Sequence, residues 1–233
     1  MSEKGIKFVF CTGKQCERVE ALVGDLANDV YIIGDSATKV KYNKQVLYKA
    51  VIENKLGKKI INDLSSIDER QTIIACTENT AFVLNHISLS ELEIVRGSYH
   101  NVSFINNFDE IKDDFLKITV HDVQQKCKYT EQLLSKVYSN VYIVASEEGW
   151  IDITKQGVNK GTTINRIQKQ LGIRISETIV FGDGLNDIDL FSATKYKVAM
   201  DNAYPELKAQ ANLIAKNNDE NGVVTTIQLL INE

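Results

Sequence analysis

The 233-residue sequence holds one proline, two methionines and one tryptophan. With so little proline there is no rigid polyproline spacer. No low-complexity tract is present, and 43% apolar with 25% charged residues excludes a disordered or fibrous chain. No run of 18 apolar residues occurs, so no membrane-spanning helix is expected. The first residues, MSEKGIKFVFCTGK, have too short an apolar stretch for a secretory signal and no small-residue cleavage site. A cytoplasmic setting is the expectation. Basic residues do not dominate: 27 Lys+Arg stand against 31 Asp+Glu, a net charge of −4, with no general footprint for nucleic acid. Histidine is sparse (His86, His100, His121) and scattered, which leaves no zinc-type cluster. The four cysteines, Cys11, Cys16, Cys76 and Cys127, form no CxxC pair and read as reduced, packed thiols. No Ser/His/Asp triad motif is visible.

What is present is a chain long enough to bury a large core without staples, with two textures. Ile6–Cys11 (IKFVFC) and Val30–Ile33 (VYII) are continuous apolar, β-branched runs, as in strands covered on both faces. Between them Val19, Leu22, Val23 and Leu26 recur at helical spacing. This β-α-β opening predicts a parallel sheet. From about residue 37 to 150 the runs are more amphipathic and the connections less regular. Strands are predicted near Thr72–Ala75, Val102–Ile105, Lys117–Val120 and Val141–Val144, and helices near Val51–Leu64 and Gln124–Val137. Regular alternation then returns. Lys160–Leu171 reads as a helix stopped by Gly172, Thr178–Phe181 as a buried strand, and Asn186–Phe191 as the next helix. Short strands at Lys197–Met200 and Leu213–Ala215 and a closing helix at Val223–Ile231 complete the chain. The expected architecture is α/β. A discontinuous core of residues 1–36 and 151–233 carries an inserted α+β domain, residues 37–150.

Three features follow buried strands or precede helices, where open α/β sheets bind ligands. Thr12-Gly13-Lys14 offers a hydroxyl, a flexible backbone and a cation, which suit a phosphate oxygen. Taken alone, the same residues read first as a plain strand-to-helix turn. Gly182-Asp183-Gly184-Leu185-Asn186-Asp187 places one carboxylate at a strand tip and a second in the first turn of a helix. Both can face one cavity and hold a hard cation such as Mg²⁺, although Asp187 also suits the helix dipole. Lys160, in GVNKG before a helix, can pair with a phosphate and a carboxylate or stand solvated. GVNKGTT lacks the Gly-Lys-Ser/Thr order of a P-loop.

In this order, GIKFVFCTGK, GVNKG and TIVFGDGLNDIDLF resemble the haloacid dehalogenase superfamily, and within it the Cof-type sugar-phosphate phosphatases. The tail VAMDNAYPELKAQANLIA and NNDENGVV extends the resemblance. It covers about residues 1–36 and 150–233, and the middle matches that group's cap by position and size. The resemblance implies Mg²⁺-dependent hydrolysis of a small phosphorylated metabolite through an aspartyl-phosphate. It implies that Thr12, Gly13, Lys14, Lys160 and Asn186 bind the phosphate, with Thr12 and Lys160 in the chemistry, and that Asp183 and Asp187 hold the metal. Asn202 matches a recurrent tail position, and Lys14 stands where the group usually has Arg, giving a point charge in place of a planar fork.

The group's nucleophile lies in a hydrophobic-Asp-x-Asp-Gly-Thr strand, and this sequence holds no such pattern. Its first aspartate is Asp25, on a predicted helix, and its one Asp-x-Asp, Asp187-Ile188-Asp189, lies inside another. The chain is expected to begin roughly thirty to forty residues late, from ordinary element lengths, and to have a weakened Mg²⁺ site and little or no phosphatase activity. Without a central strand, Ile6–Cys11 and Thr178–Phe181 are expected to pair directly, to be bridged by another chain, or to leave a deformed core. Exposed edges favour self-association. A non-catalytic relative that binds a phosphorylated metabolite or a protein, and a sugar phosphomutase, stay open as alternatives.

Overall fold

The computed structural model describes residues 5–232, and the chain separates into two compact units, Met1–Val158 and Asn159–Glu233. In the first unit, β1 (Val9–Cys11), α1 (Cys16–Val23) and β2 (Tyr31–Gly34) form the predicted parallel crossover, with Val9 opposite Tyr31 and Cys11 opposite Ile33. The sheet then continues antiparallel through β3 (Lys39–Tyr42) and β4 (Gln45–Lys49), in the order β1-β2-β3-β4. Residues 39–49, read from sequence as inserted, therefore extend the first sheet.

The rest of this unit is a six-stranded sheet with helices. Its elements are α2 (Asn54–Ile67), β5 (Thr72–Cys76), β6 (Ala81–Leu84), α3 (Leu89–Ser98), β7 (Val102–Ile105), β8 (Lys117–His121), α4 (Cys127–Val137), β9 (Val141–Glu147) and β10 (Trp150–Lys155). The strand order is β7-β6-β5-β8-β10-β9. Side chains alternate across the sheet. Ile118, Val120, Ile151 and Ile153 join Ile60 and Leu64 of α2 and Leu134 of α4 in one apolar core. Ile74 and Cys76 pack on the other face with Val95 of α3 and Tyr99. The same alternation sends Lys117, Thr119, Asp152 and Thr154 to that second face, where all four are buried.

The second unit contains α5 (Lys160–Leu171), β11 (Ile179–Gly182), α6 (Asp187–Phe191), β12 (Tyr196–Met200), α7 (Pro205–Lys208), β13 (Leu213–Ala215) and α8 (Gly222–Asn232). Its three strands are parallel, in the order β11-β12-β13. Gly172 ends α5 in the left-handed region, φ 68°, as the sequence reading expects. The single proline opens α7, where its missing N–H costs nothing. Among the described residues no helix is long and apolar enough to cross a membrane.

Among the described residues β1 ladders with β2, and β11 with β12. Each strand keeps the neighbour to which its own crossover helix delivers it.

The turn between β2 and β3 carries unusual backbone. Asp35, Ser36 and Ala37 all have positive φ, 52°, 55° and 73°, a conformation that costs side-chain-bearing residues free energy. The turn is held by bonds from both sides. Asp35 N–H donates to the Lys14 carbonyl at 2.8 Å, the Asp35 carboxylate accepts the Cys16 N–H at 3.2 Å, and the Thr38 hydroxyl donates to the Asp35 carbonyl at 2.7 Å. Burial raises the Asp35 carboxyl from 3.8 to about 6, against the opposing pull of Lys117 and Lys39.

The raised value has a defined sign. Below about pH 4 the acid is neutral folded and unfolded, and its contribution to stability is complete. Between about pH 4 and 6 the unfolded chain ionises first, so stability falls, by roughly 3 kcal/mol for this interval. Asp35→Asn is expected to remove that fall. Urea unfolding of both proteins across this range checks it; parallel stability profiles would contradict the assignment.

Candidate active site

In the second unit the site is built from the β11-α6 turn and the start of α5. Asn159 caps α5: its side chain accepts the Thr162 N–H at 2.8 Å, and the Thr162 hydroxyl oxygen accepts the Asn159 N–H at 3.0 Å. The cap sets Lys160 as the first residue of the helix. Lys160 is buried, and its Nζ donates to Asp187 Oδ1 at 2.6 Å and to Asn186 Oδ1 at 2.8 Å. The approach is close because Gly161 has no side chain. A Cβ there would lie 2.1 Å from the Asp189 carbonyl oxygen.

Asp187 is also buried, and its second oxygen works locally. Oδ2 accepts the backbone N–H groups of Asp183 and Gly184, both at 3.0 Å. The carboxylate thus closes the glycine turn with one oxygen and pairs Lys160 with the other. Asp183 stands in a different environment. It is exposed, and among the described residues its carboxylate receives one long bond, from Asn202 Nδ2 at 3.4 Å. Its own carbonyl accepts the Tyr204 N–H at 3.2 Å. Asp183 follows β11 and Asn202 follows β12, so both lie beyond carboxyl ends of parallel strands.

This donor set bears on a metal. Among the described residues no group of three or more His, Cys, Asp or Glu is arranged to hold an ion. Mg²⁺, however, is commonly held by one or two carboxylates completed by water and substrate phosphate. Asp183 offers the open carboxylate for that arrangement, whereas both oxygens of Asp187 are engaged within the protein.

In the first unit Thr12, Gly13 and Lys14 follow β1. Thr12 N–H continues the ladder to the Ile33 carbonyl at 2.9 Å, and Thr12 Oγ1 accepts the Lys14 N–H at 3.2 Å. Lys14 Nζ reaches the Gly97 carbonyl at 3.4 Å. The turn is woven into distant chain. Gln15 N–H donates to the Ser98 carbonyl at 3.0 Å, and the buried Gln15 amide oxygen accepts the N–H groups of His100 and Asn101. Lys117 Nζ donates to the Gly13 carbonyl at 2.6 Å.

The structure therefore brings Lys160, Asn186, Asp187 and Asp183 together in one unit and sets Thr12, Gly13 and Lys14 in one turn of the other. Gln15 and Lys117 escaped the sequence reading. Gln15 directly precedes a helix, a position that invites inspection for a cap. Nothing local to KITVH distinguishes Lys117 from a solvated strand residue.

Comparison with known proteins agrees with this geometry. The model of the haloacid dehalogenase-like hydrolases matches residues 1–227. The chain is 26% identical over 232 residues to the 5-amino-6-(5-phospho-D-ribitylamino)uracil phosphatase YbjI of Escherichia coli, covering 99% of this chain and 85% of that protein. It is 29% identical over 148 residues to the phosphatase YwpJ of Bacillus subtilis, covering 61% of this chain and 52% of that one. Among solved structures, a Streptococcus mutans protein superposes with a TM-score of 0.94 at 23% identity, covering 100% of this chain and 88% of the other. A sugar phosphatase of HAD subclass IIB superposes at 0.82 with 20% identity, covering 98% and 87%. The α/β fold is thus the Rossmann-like core with a cap that these neighbours share, and the chain belongs to the family of haloacid dehalogenase-like hydrolases.

Proposed function

We propose that the chain handles the phosphoryl group of a small phosphorylated metabolite, a sugar phosphate or similar phosphoester, in the manner of the phosphatases it resembles. The observation that carries this reading is the cluster at the β11 tip: a buried lysine locked to a buried aspartate beside an exposed aspartate. Lys160 contributes fixed positive charge against the phosphate, and Asn186, bonded to the same ammonium, is held beside it. Asp183 is the residue placed to hold Mg²⁺, and Asp187 keeps the turn that presents Asp183. When bound, the metal would offset negative charge on the phosphoryl oxygens. Thr12 supplies a hydroxyl donor, with Gly13 and Lys14 beside it. In this reading residues 37–150, apart from the strands within 39–49 that extend the first sheet, act as the substrate-selecting cap, and residues 1–36 and 151–233 as the phosphate-handling core.

Hydrolysis through an aspartyl-phosphate needs a strand-tip carboxylate as nucleophile. The hydrophobic-Asp-x-Asp-Gly-Thr strand that carries it in the resembled group does not occur within residues 1–233, whose one Asp-x-Asp, Asp187-Ile188-Asp189, lies on α6. Residues 1–233 are accordingly read as binding phosphate and Mg²⁺ without efficient turnover.

The two aspartates should separate experimentally. Asp183→Ala, at an exposed position, is expected to change unfolding stability by less than about 0.5 kcal/mol and to abolish Mg²⁺-dependent phosphate binding. Asp187→Ala removes one partner of a buried ion pair together with the acceptor of two turn amides and is expected to cost about 3–5 kcal/mol. Urea unfolding and calorimetric titration with MgCl₂ and inorganic phosphate read both. Equal stability losses would refute the division of roles. A generic aryl phosphate tests turnover: the 233-residue chain is expected to release little or no phosphate. Robust Mg²⁺-dependent release, lost in Asp183→Asn, would overturn the binding-without-turnover reading.

A further inference from the structure

We propose that Lys117 is a positioning residue for the Thr12–Lys14 turn, fixing the direction of the hydroxyl that meets a phosphate. The proposal rests on the phosphate-binding reading of that turn, which it deepens.

Lys117 lies on β8, 104 residues from Gly13, and is 2% exposed. Its ammonium donates to the Gly13 carbonyl at 2.6 Å and to Ser36 Oγ at 3.1 Å, and lies 5.1 Å from the centre of the Tyr99 ring. The nearest acid, Asp152, is 3.5 Å away, and its Oδ1 accepts a shorter bond from the Thr119 hydroxyl, 2.8 Å. The shortest contact of the ammonium is therefore with the turn rather than with its counter-ion. Burial acts to lower the Lys117 pKa, but the electronegative groups around it, among them Tyr99, Asp152, Cys76 and Asp35, shift it upward overall. Burial raises Tyr99 and Cys76 as well, so at neutral pH the counter-charge comes from Asp152 and Asp35.

The geometric consequence runs through one peptide plane. The Gly13–Lys14 peptide is trans and planar, so its C=O and N–H point in opposite directions. With the carbonyl fixed on Lys117, the Lys14 N–H is directed the other way, onto Thr12 Oγ1. A threonine hydroxyl has one proton to donate. Once its oxygen receives the Lys14 N–H, that proton is steered away from the peptide. Lys117 thereby orients Thr12 without touching a ligand. A buried ion pair by itself gains little over an apolar replacement; a directional bond to a carbonyl is something a methionine or leucine cannot supply.

The test uses the full chain and isotope-edited NMR, with inorganic phosphate and MgCl₂ as probes. Lys117→Met is expected to lower hydrogen-exchange protection of the Lys14 amide about tenfold or more while β8 amides keep theirs, and to weaken phosphate binding by a similar factor. Lys117→Arg should restore part of both. Asp152→Asn, which keeps the bond to Gly13, should leave Lys14 protection within about threefold. Unchanged Lys14 protection in folded Lys117→Met, or an equal loss in Asp152→Asn, overturns the positioning role. The exchange readout needs no ligand. A wild-type chain that binds no phosphate thus defeats the phosphate reading, and Lys14 protection still decides the role of Lys117. Should Lys117→Met not fold, the wild-type ¹⁵Nζ resonance of Lys117 decides. Coupling across the hydrogen bond to the Gly13 carbonyl supports the proposal, and its absence refutes it.

Discussion

Asp187 is the group on which the second unit's site depends. It is buried, so its charge must be matched, and it is matched three times: by the Lys160 ammonium and by two backbone N–H groups of the glycine turn. Charge-assisted bonds of this kind are stronger than neutral ones, and here they tie the start of α5, the turn after β11 and the first turn of α6 to one carboxylate. Asn186 is held through the same ammonium, and Asp183 is presented by the turn that Asp187 closes.

The first unit applies the same device with the sign reversed. Its β1-α1 turn is anchored by an ammonium on a backbone carbonyl, and the turn that supports it from below, Asp35–Ala37, is bent into left-handed backbone. A strained segment persists only where surrounding bonds over-determine it. Here the Lys14 carbonyl, the Cys16 N–H and the Thr38 hydroxyl do so, together with Lys117 on Ser36 Oγ. The arrangement places two buried carboxylates, Asp35 and Asp152, near one buried lysine. Two acids share one ammonium, so removing Lys117 leaves two buried carboxylates unmatched, whereas removing one carboxylate leaves a one-to-one pair, in a medium that screens poorly.

The sequence was most legible where one physical rule acted alone. The run TIVF is β11 within a residue at each end, Lys160–Leu171 is a helix at both boundaries, and Gly172 stops it in the left-handed conformation. A β-branched apolar run, a 3.6 period and a glycine stop are all local signals, although the expected two-sided burial is not met: Ile179 is exposed and Phe181 half-buried. Legibility failed where the deciding partner is remote. β3 and β4, KVKY and QVLYK, put lysines at buried positions, and the burial of Lys39 and Lys41 rests on Glu17 and Glu20 of α1. α3 was missed although Ser88 accepts the Glu91 N–H at its start, because its apolar spacing is weak. β10 alternates as WIDITK, yet its polar members face inward, the reverse of what alternation suggests for a solvated sheet face. Lys117 and Asp152 read as surface residues for the same reason. Spacing also could not decide between ligand and anchor for Asp187: four residues after Asp183, it suits either. Hydrogen bonds to Lys160 and the turn assign its oxygens.

The two glycine turns show how the same residue type answers different demands. At Gly182 a Cβ would lie 2.7 Å from the Asp187 Cβ, so the carboxylate could not approach its two amides past any side chain. Glycine there is a condition of the anchor. At Gly13 a Cβ would meet Ser36 Oγ at 3.6 Å and Asp152 Oδ2 at 3.7 Å, ordinary contact distances, and its φ lies outside the left-handed region. Space therefore does not require glycine beside Lys117. The two turns differ in what holds them: steric clearance for a carboxylate in one, and in the other a set of bonds that includes one from a distant strand. A turn of the second kind depends in part on that strand, so the proposed direction of the Thr12 hydroxyl is tied to the sheet that carries β8.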